Sequence, residues 1–154
     1  AWAATRHSKH FAAAVSFVPF VDIRTKWLTT DIPNEFFHVH YEETWPHEQL
    51  DFLAQRSPLT WAPNCRTPLL LLGGDQDPRV HPSQPFMLYR AVKTATETPV
   101  RYVQYPGEGH GNRVDRNRYD YALRCLRWFD HYLRPGDHRQ DAPPPPDLDY
   151  SDWK

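Results

Sequence analysis

Leu69-Leu70-Leu71-Leu72-Gly73-Gly74-Asp75-Gln76-Asp77-Pro78-Arg79-Val80 decides how this chain folds. Four leucines run into two glycines, two aspartates and a proline-bearing loop. That is how a strand covered on both faces reads when it delivers a carboxylate to the rim of a sheet. Tyr105-Pro106-Gly107-Glu108-Gly109-His110-Gly111 repeats the design and delivers a histidine. An aspartate of the first stretch, Asp75 or Asp77, and His110 of the second are expected to be two members of a nucleophile–histidine–acid triad. Its third member is absent from these 154 residues.

Outward from that stretch, the pattern alternates. Residues 1 to 9 favour helix, and Phe11 to Val18 is an apolar strand ended by Pro19. Thr67 to Gly73 is the next strand. Ser83 is a plausible N-cap for a helix reaching about Thr96. Val100 to Tyr105 alternates as a strand near a sheet edge does. Residues 113 to 133 form a long helix that Pro135-Gly136 stops. Strand and helix in alternation predict an α/β fold with parallel strands, whose functional groups gather at the carboxyl ends. Residues 20 to 66 interrupt the pattern. Prolines at 33, 46, 58 and 63 divide them into short helical pieces, Pro33–Tyr41 and Pro46–Gln55, rich in Trp and Phe. A pocket wall or plain packing would serve equally for such an insertion.

The length suits one domain. A net charge of -1 gives no electrostatic footprint for nucleic acid or an anionic membrane. The longest apolar run is far too short to cross a bilayer. Cys65 and Cys125 match no metal spacing and read as free thiols in preference to a disulfide. Ala1-Trp2-Ala3-Ala4-Thr5-Arg6 has neither an initiator methionine nor a signal peptide. It reads as an internal start, with any targeting segment upstream. The compartment stays open between cytoplasmic and secreted. Residues 135 to 154, with Pro143 to Pro146, read as a disordered tail.

A hydroxyl is a weak nucleophile at neutral pH until a neighbouring histidine takes its proton, and a buried carboxylate must orient that histidine. The chain order acid then histidine is that of α/β-hydrolases. Gly107, Gly109 and Gly111 allow a tight turn around His110. Asp75 and Asp77 both lie in a turn, and turns favour aspartate for backbone reasons alone, so physics does not separate them.

The chain from about Ala1 to Arg134 resembles the C-terminal part of the catalytic domain of the prolyl oligopeptidase family of serine peptidases. Its dipeptidyl-peptidase and acylaminoacyl-peptidase branches are the most similar. The resemblance is carried by Arg56-Ser57-Pro58-Leu59, Thr67-Pro68-Leu69-Leu70-Leu71-Leu72-Gly73, Asp77-Pro78-Arg79-Val80 and Pro82-Ser83-Gln84. Leu88-Tyr89-Arg90-Ala91, Tyr105-Pro106-Gly107-Glu108-Gly109-His110-Gly111 and Trp128-Phe129-Asp130-His131-Tyr132-Leu133 complete it. The resemblance implies residues 1–134 as a partial α/β-hydrolase domain, Asp77 as the acid and His110 as the base. Gly73-Gly74 stands where the family often has His-Gly. The family's Gly-x-Ser-x-Gly elbow is missing, since Ser8, Ser16, Ser57, Ser83 and Ser151 lack flanking glycines. The resemblance therefore implies a serine just before Ala1 and a β-propeller further upstream.

Other clusters carry less. His38 and His40 with Glu42 and Glu43 lack a shared helical face and read as a solvated segment before a metal site. Arg79 and Arg113 flank the expected site; either could bind a peptide carboxylate, although bracing the turn is the favoured use of Arg79. Arg113, Arg116, Arg118, Arg124 and Arg127, interleaved with Asp115 and Asp120, read as a solvated helix face. The expected activity is hydrolysis of short peptides through an acyl-enzyme, with no cofactor and no metal. The expected partners are a peptide substrate, the upstream part of the same chain and possible copies of itself. An esterase on the same fold and a non-catalytic hydrolase-like binding module are the alternatives.

Overall fold

The computed structural model describes residues 1–134 and 143–147. Three strands make a parallel sheet in the order β1-β2-β3: β1 is Ala14–Phe17, β2 Leu69–Gly74 and β3 Val100–Tyr105. All six residues of β2 are buried. Its side chains alternate between two cores, which is why the leucine run carries no polar position. Leu69 and Leu71 pack with Leu88, Val92 and Val100. Leu70 and Leu72 pack with Tyr105, Trp128 and Tyr132 on the other face.

The helices follow from the same division. α1 (Trp2–Arg6) leads into β1 through a short 3-10 turn at Ser8–His10. α5 (Ser83–Ala95) covers the first core with Leu88 and Val92. α6 (Asp115–Leu133) covers the second with Trp128 and Tyr132, and the Trp128 indole N–H donates to the Pro68 carbonyl at 3.4 Å. Pro82, not Ser83, occupies the N-cap of α5. The Ser83 hydroxyl instead lies 2.9 Å from Nδ1 of His81, so the expected cap does not form.

Residues 20 to 66 hold more helix than their prolines suggest. α2 (Ile23–Thr29) is capped by Asp22, which accepts from the Arg24 N–H at 3.3 Å. α3 (Pro33–Glu35) runs into a π-helical turn at Phe36–His40, and α4 (Leu50–Arg56) precedes a 3-10 stretch at Pro58–Asn64. Trp27, Phe36, Ile23 and Leu53 form a third core. Fully buried Gln84 pins this insertion to the sheet layer: its carbonyl accepts from the N–H groups of Val21 (2.8 Å) and Asp22 (3.0 Å), and its amide donates to Thr25 (2.8 Å). Buried Ser57 does the same from the other side, accepting from Ile23 and donating to the Leu53 carbonyl.

Cys65 is buried in the first core and Cys125 is half-buried on α6, and both thiols are free. The Asp120 end of α6 is not a solvated face. Asp120 is buried and accepts from the Tyr105 hydroxyl at 2.8 Å and from Arg124 Nε at 2.7 Å. Of the tail, residues 135–142 and 148–154 lie outside the described part, so its expected disorder is not addressed there. Residues 143–147 run along β3 and α6. Pro144 is buried, and Arg101, Arg124 and Arg127 donate to the carbonyls of Pro145, Pro146 and Asp147. No helix among the described residues is long and apolar enough to cross a membrane.

Candidate active site

β2 and β3 pair Gly74 with Tyr105, so the two loops that follow leave the sheet side by side. Gly74 makes this approach possible. A Cβ there would lie 2.0 Å from the Glu108 carbonyl oxygen, far inside van der Waals contact. Gly73 has no such demand, as its Cβ would meet only Pro85 at 3.6 Å. The loops are then stitched: the Gln76 N–H donates to the Glu108 carbonyl (2.9 Å), and the Gly107 N–H to Asp75 Oδ1 (2.7 Å).

The histidine loop needs two of its three glycines for conformation. Gly107 sits at φ 76 and Gly111 at φ 139. Gly109 is not in the left-handed region, and an added Cβ would make only ordinary contact with Gln76. Glu108, which the sequence did not single out, anchors the loop. It is buried, and its carboxylate accepts from the Arg113 N–H (2.8 Å), the Val114 N–H (3.0 Å) and the Asn117 amide (2.7 Å). Those bonds, the one to Arg113 first, hold its carboxyl below the usual carboxylate range. Glu108 thereby fastens the loop to the start of α6.

Asp77 and His110 meet. Asp77 Oδ2 lies 2.9 Å from Nδ1 of His110. The other oxygen, Oδ1, accepts from the N–H groups of Arg79 (2.8 Å) and Val80 (2.9 Å). The Asp77 side chain is 1% exposed and that of His110 41%. One end of the pair is thus dry and fixed while the other faces solvent. An ionised carboxylate only accepts, so opposite it Nδ1 is the donor. Asp75 is committed to the Gly107 turn, which separates the two aspartates that the sequence left level.

The insertion braces the acid loop. Arg79 forms a two-point contact with Asp31, at 2.7 and 3.3 Å. This contact is the leading reason the Asp31 carboxyl sits below its usual range. The Asp31 N–H donates to the Pro78 carbonyl and the Thr30 hydroxyl to the Arg79 carbonyl. Behind them Lys26 is buried, donates to Thr30 at 3.2 Å and lies 3.7 Å over the Phe36 ring. Burial first, then Arg79, lowers its pKa to about 8.

One hollow includes His110 and a second lies within the insertion. Asp31, Arg79, His110, Arg113 and Val114 line an open crevice of about 490 Å3. Phe20, Phe36, Tyr41, Phe52 and Arg56 line a cleft of about 380 Å3 within the insertion, whose aromatics thus serve both core and cleft. His38 and His40 take separate partners, Glu43 at 3.4 Å and Glu35 at 3.5 Å. Among the described residues no three ligand-type side chains cluster for a metal.

Known proteins resemble this chain in sequence and in fold. The model of the prolyl oligopeptidase family matches residues 1–136. The chain belongs to that family. The rat acylamino-acid-releasing enzyme is 26% identical over 133 residues, 83% of this chain and 18% of its own. Dipeptidyl aminopeptidase BIII of Pseudoxanthomonas mexicana is 43% identical over 60 residues, 39% of this chain and 9% of its own. The solved structure of the Pyrococcus horikoshii acylaminoacyl peptidase superposes with a TM-score of 0.78 at 25% identity, covering 90% of this chain and 22% of that one. The chain therefore spans about a fifth of the length of the acylamino-acid-releasing enzyme and the acylaminoacyl peptidase, and its fold is that of an α/β-hydrolase peptidase.

Proposed function

We propose that this chain supplies the acid and the base of a serine peptidase that cleaves short peptides. A serine upstream, in the longer protein, is the nucleophile. The observation that carries this reading is the 2.9 Å contact between buried Asp77 and half-exposed His110 on one rim of a parallel sheet. The serine hydroxyl gives its proton to Nε2 of His110 as its oxygen attacks the peptide carbonyl. The imidazolium is stabilised through Nδ1–H by Asp77, and it then returns the proton to the leaving amine. Water repeats the sequence on the acyl-enzyme, with His110 again as base. The similarity to acylaminoacyl peptidases and dipeptidyl peptidases supports peptides as the substrate class.

An active-site serine probe tests this. The full-length protein is expected to be labelled, and His110→Ala to abolish the labelling. The 154 residues alone are expected to show no burst. Burst acylation of this chain by itself would refute the upstream nucleophile. Undiminished labelling of the His110→Ala protein would refute the base.

A further inference from the structure

The crevice beside His110 carries an uncommitted positive charge. Four of its charged groups are already satisfied. Asp31 and Arg79 neutralise each other through two contacts, at 2.7 and 3.3 Å. Asp77 holds His110. Glu108 lies under three N–H donors and is buried. Arg113 remains. Its backbone N–H is the donor to Glu108, but its guanidinium is exposed and has no hydrogen-bonding or ionic partner among the described residues. It lines the same crevice as His110, three positions further along the chain.

The chemistry of the pair says what passes this point. The imidazole that accepts the nucleophile's proton must hand it to the leaving amine, so its exposed edge faces the leaving half of the substrate. A cation beside that edge meets whatever the leaving half carries. In a short peptide its distinctive anion is the free C-terminal carboxylate, which a guanidinium binds with two parallel N–H donors. We propose that Arg113 binds the C-terminal carboxylate of the leaving fragment, making this crevice a subsite for short peptides with free carboxyl ends. This rests on the peptidase reading above. The contact exists before and during bond cleavage alike, so it lowers KM and leaves kcat nearly unchanged.

The test uses the full-length protein and two peptides that differ only at the C-terminus, one a free acid and one an amide. The wild type is expected to favour the acid in kcat/KM by roughly two- to fivefold, the upper part of the range for a solvent-facing charged pair. The preference should reside in KM and shrink as ionic strength rises. In Arg113→Gln the ratio should fall to near one, and Arg113→Lys should recover part of it. Because the readout is a ratio within each variant, a general loss of folding cancels. An acid-to-amide ratio equal in wild type and Arg113→Gln overturns the proposal. A matched alkyl ester separates the two readings. If the wild type turns over the ester but does not discriminate acid from amide, only the Arg113 assignment falls. No turnover of ester or peptide overturns the peptidase reading and this one with it.

Discussion

Gly74 lies so close to Glu108 that a Cβ on the first would stand 2.0 Å from the carbonyl oxygen of the second. This approach fixes the acid loop against the histidine loop, and it is backbone on backbone, so no rotamer change can relieve it. Gly74→Ala is expected to destabilise the fold by at least about 2 kcal/mol, at the upper part of the range for overpacking. It should also separate Asp77 from His110. Urea unfolding and the imidazole nitrogen shifts of His110 measure the two effects. A variant of wild-type stability would show that the loops can part without cost.

Asp75 and Asp77 have different partners, the Gly107 N–H and the His110 ring. In Asp77→Asn the residue facing Nδ1 no longer accepts as a carboxylate does, and the tautomer that leaves Nε2 free is lost. In the full-length protein kcat is expected to fall about 10⁴-fold, the scale known for this change in serine proteases. Asp75→Asn removes only the acceptor for the Gly107 N–H and should cost about tenfold or less, through loosening of the turn. Equal losses in the two variants would contradict the assignment of Asp77.

Glu108 should set the acid limit of the histidine loop. Its carboxyl is held below the ordinary value, by the Arg113 N–H first. A depressed carboxyl stabilises the fold fully above the unfolded pKa, near 4.3, and this contribution fades as pH falls through the folded value. Glu108→Gln is expected to be less stable at neutral pH but to lose less stability on going below about pH 4. Denaturant midpoints at pH 7, 5 and 3 give the comparison. Parallel pH profiles for the two proteins would count against a buried, charged Glu108.

Lys26 is shifted in the same direction, but for a lysine a lowered pKa costs stability at neutral pH instead of adding it. Its pKa is lowered to about 8, chiefly by burial. Between that value and the unfolded value near 10.4 the unfolded chain binds more protons, so stability rises with pH across the window. Tyrosines raised by burial, among them Tyr105 and Tyr132, work against this at the alkaline end in any variant that keeps them. The difference between wild type and Lys26→Met therefore isolates the lysine. The wild type is expected to gain on Lys26→Met as pH goes from 7 to 10. A constant difference would mean that Lys26 keeps an ordinary pKa.

What the sequence made readable was what periodicity and loop chemistry encode. The leucine run of β2 is buried on both faces, and its unbroken apolar character says so. The loop that brings His110 to the rim is marked by its glycines. The roles of Asp75 and Asp77 depend on the pairing of Gly74 with Tyr105, a register that no local signal fixes. Glu108 carries no local signal, because its partners, Arg113, Val114 and Asn117, lie at the start of the next helix. Helix α2 had a usable signal in Asp22 at its N-cap, but isoleucine and three threonines in and after it favour other structure locally. Tertiary clamps from Gln84 and Ser57 decide it.

The proline segment offers the last test, because it ties α6 to the sheet. Pro144 is buried in a groove lined by Leu70, Arg101 and Trp128, and three arginines donate to three successive carbonyls. A proline run keeps its carbonyls pointing outward with little entropy left to lose, so guanidinium donors can grip it cheaply. Arg124 also holds Asp120, which takes the Tyr105 hydroxyl. Tyr105 ends β3, and its carbonyl accepts from the N–H groups of Asp75 and Glu108. The groove is thus linked through the last residue of the strand to the loops that carry Asp77 and His110. Ending the chain at Arg134 is expected to lower stability by about 1–2 kcal/mol, from lost burial and hydrogen bonds. The amides at the Gly107 turn should then exchange faster with solvent, whereas those of α5, on the far face of the sheet, should not. Unchanged exchange at Gly107 after truncation would sever this link and leave the segment as a local cover for Trp128.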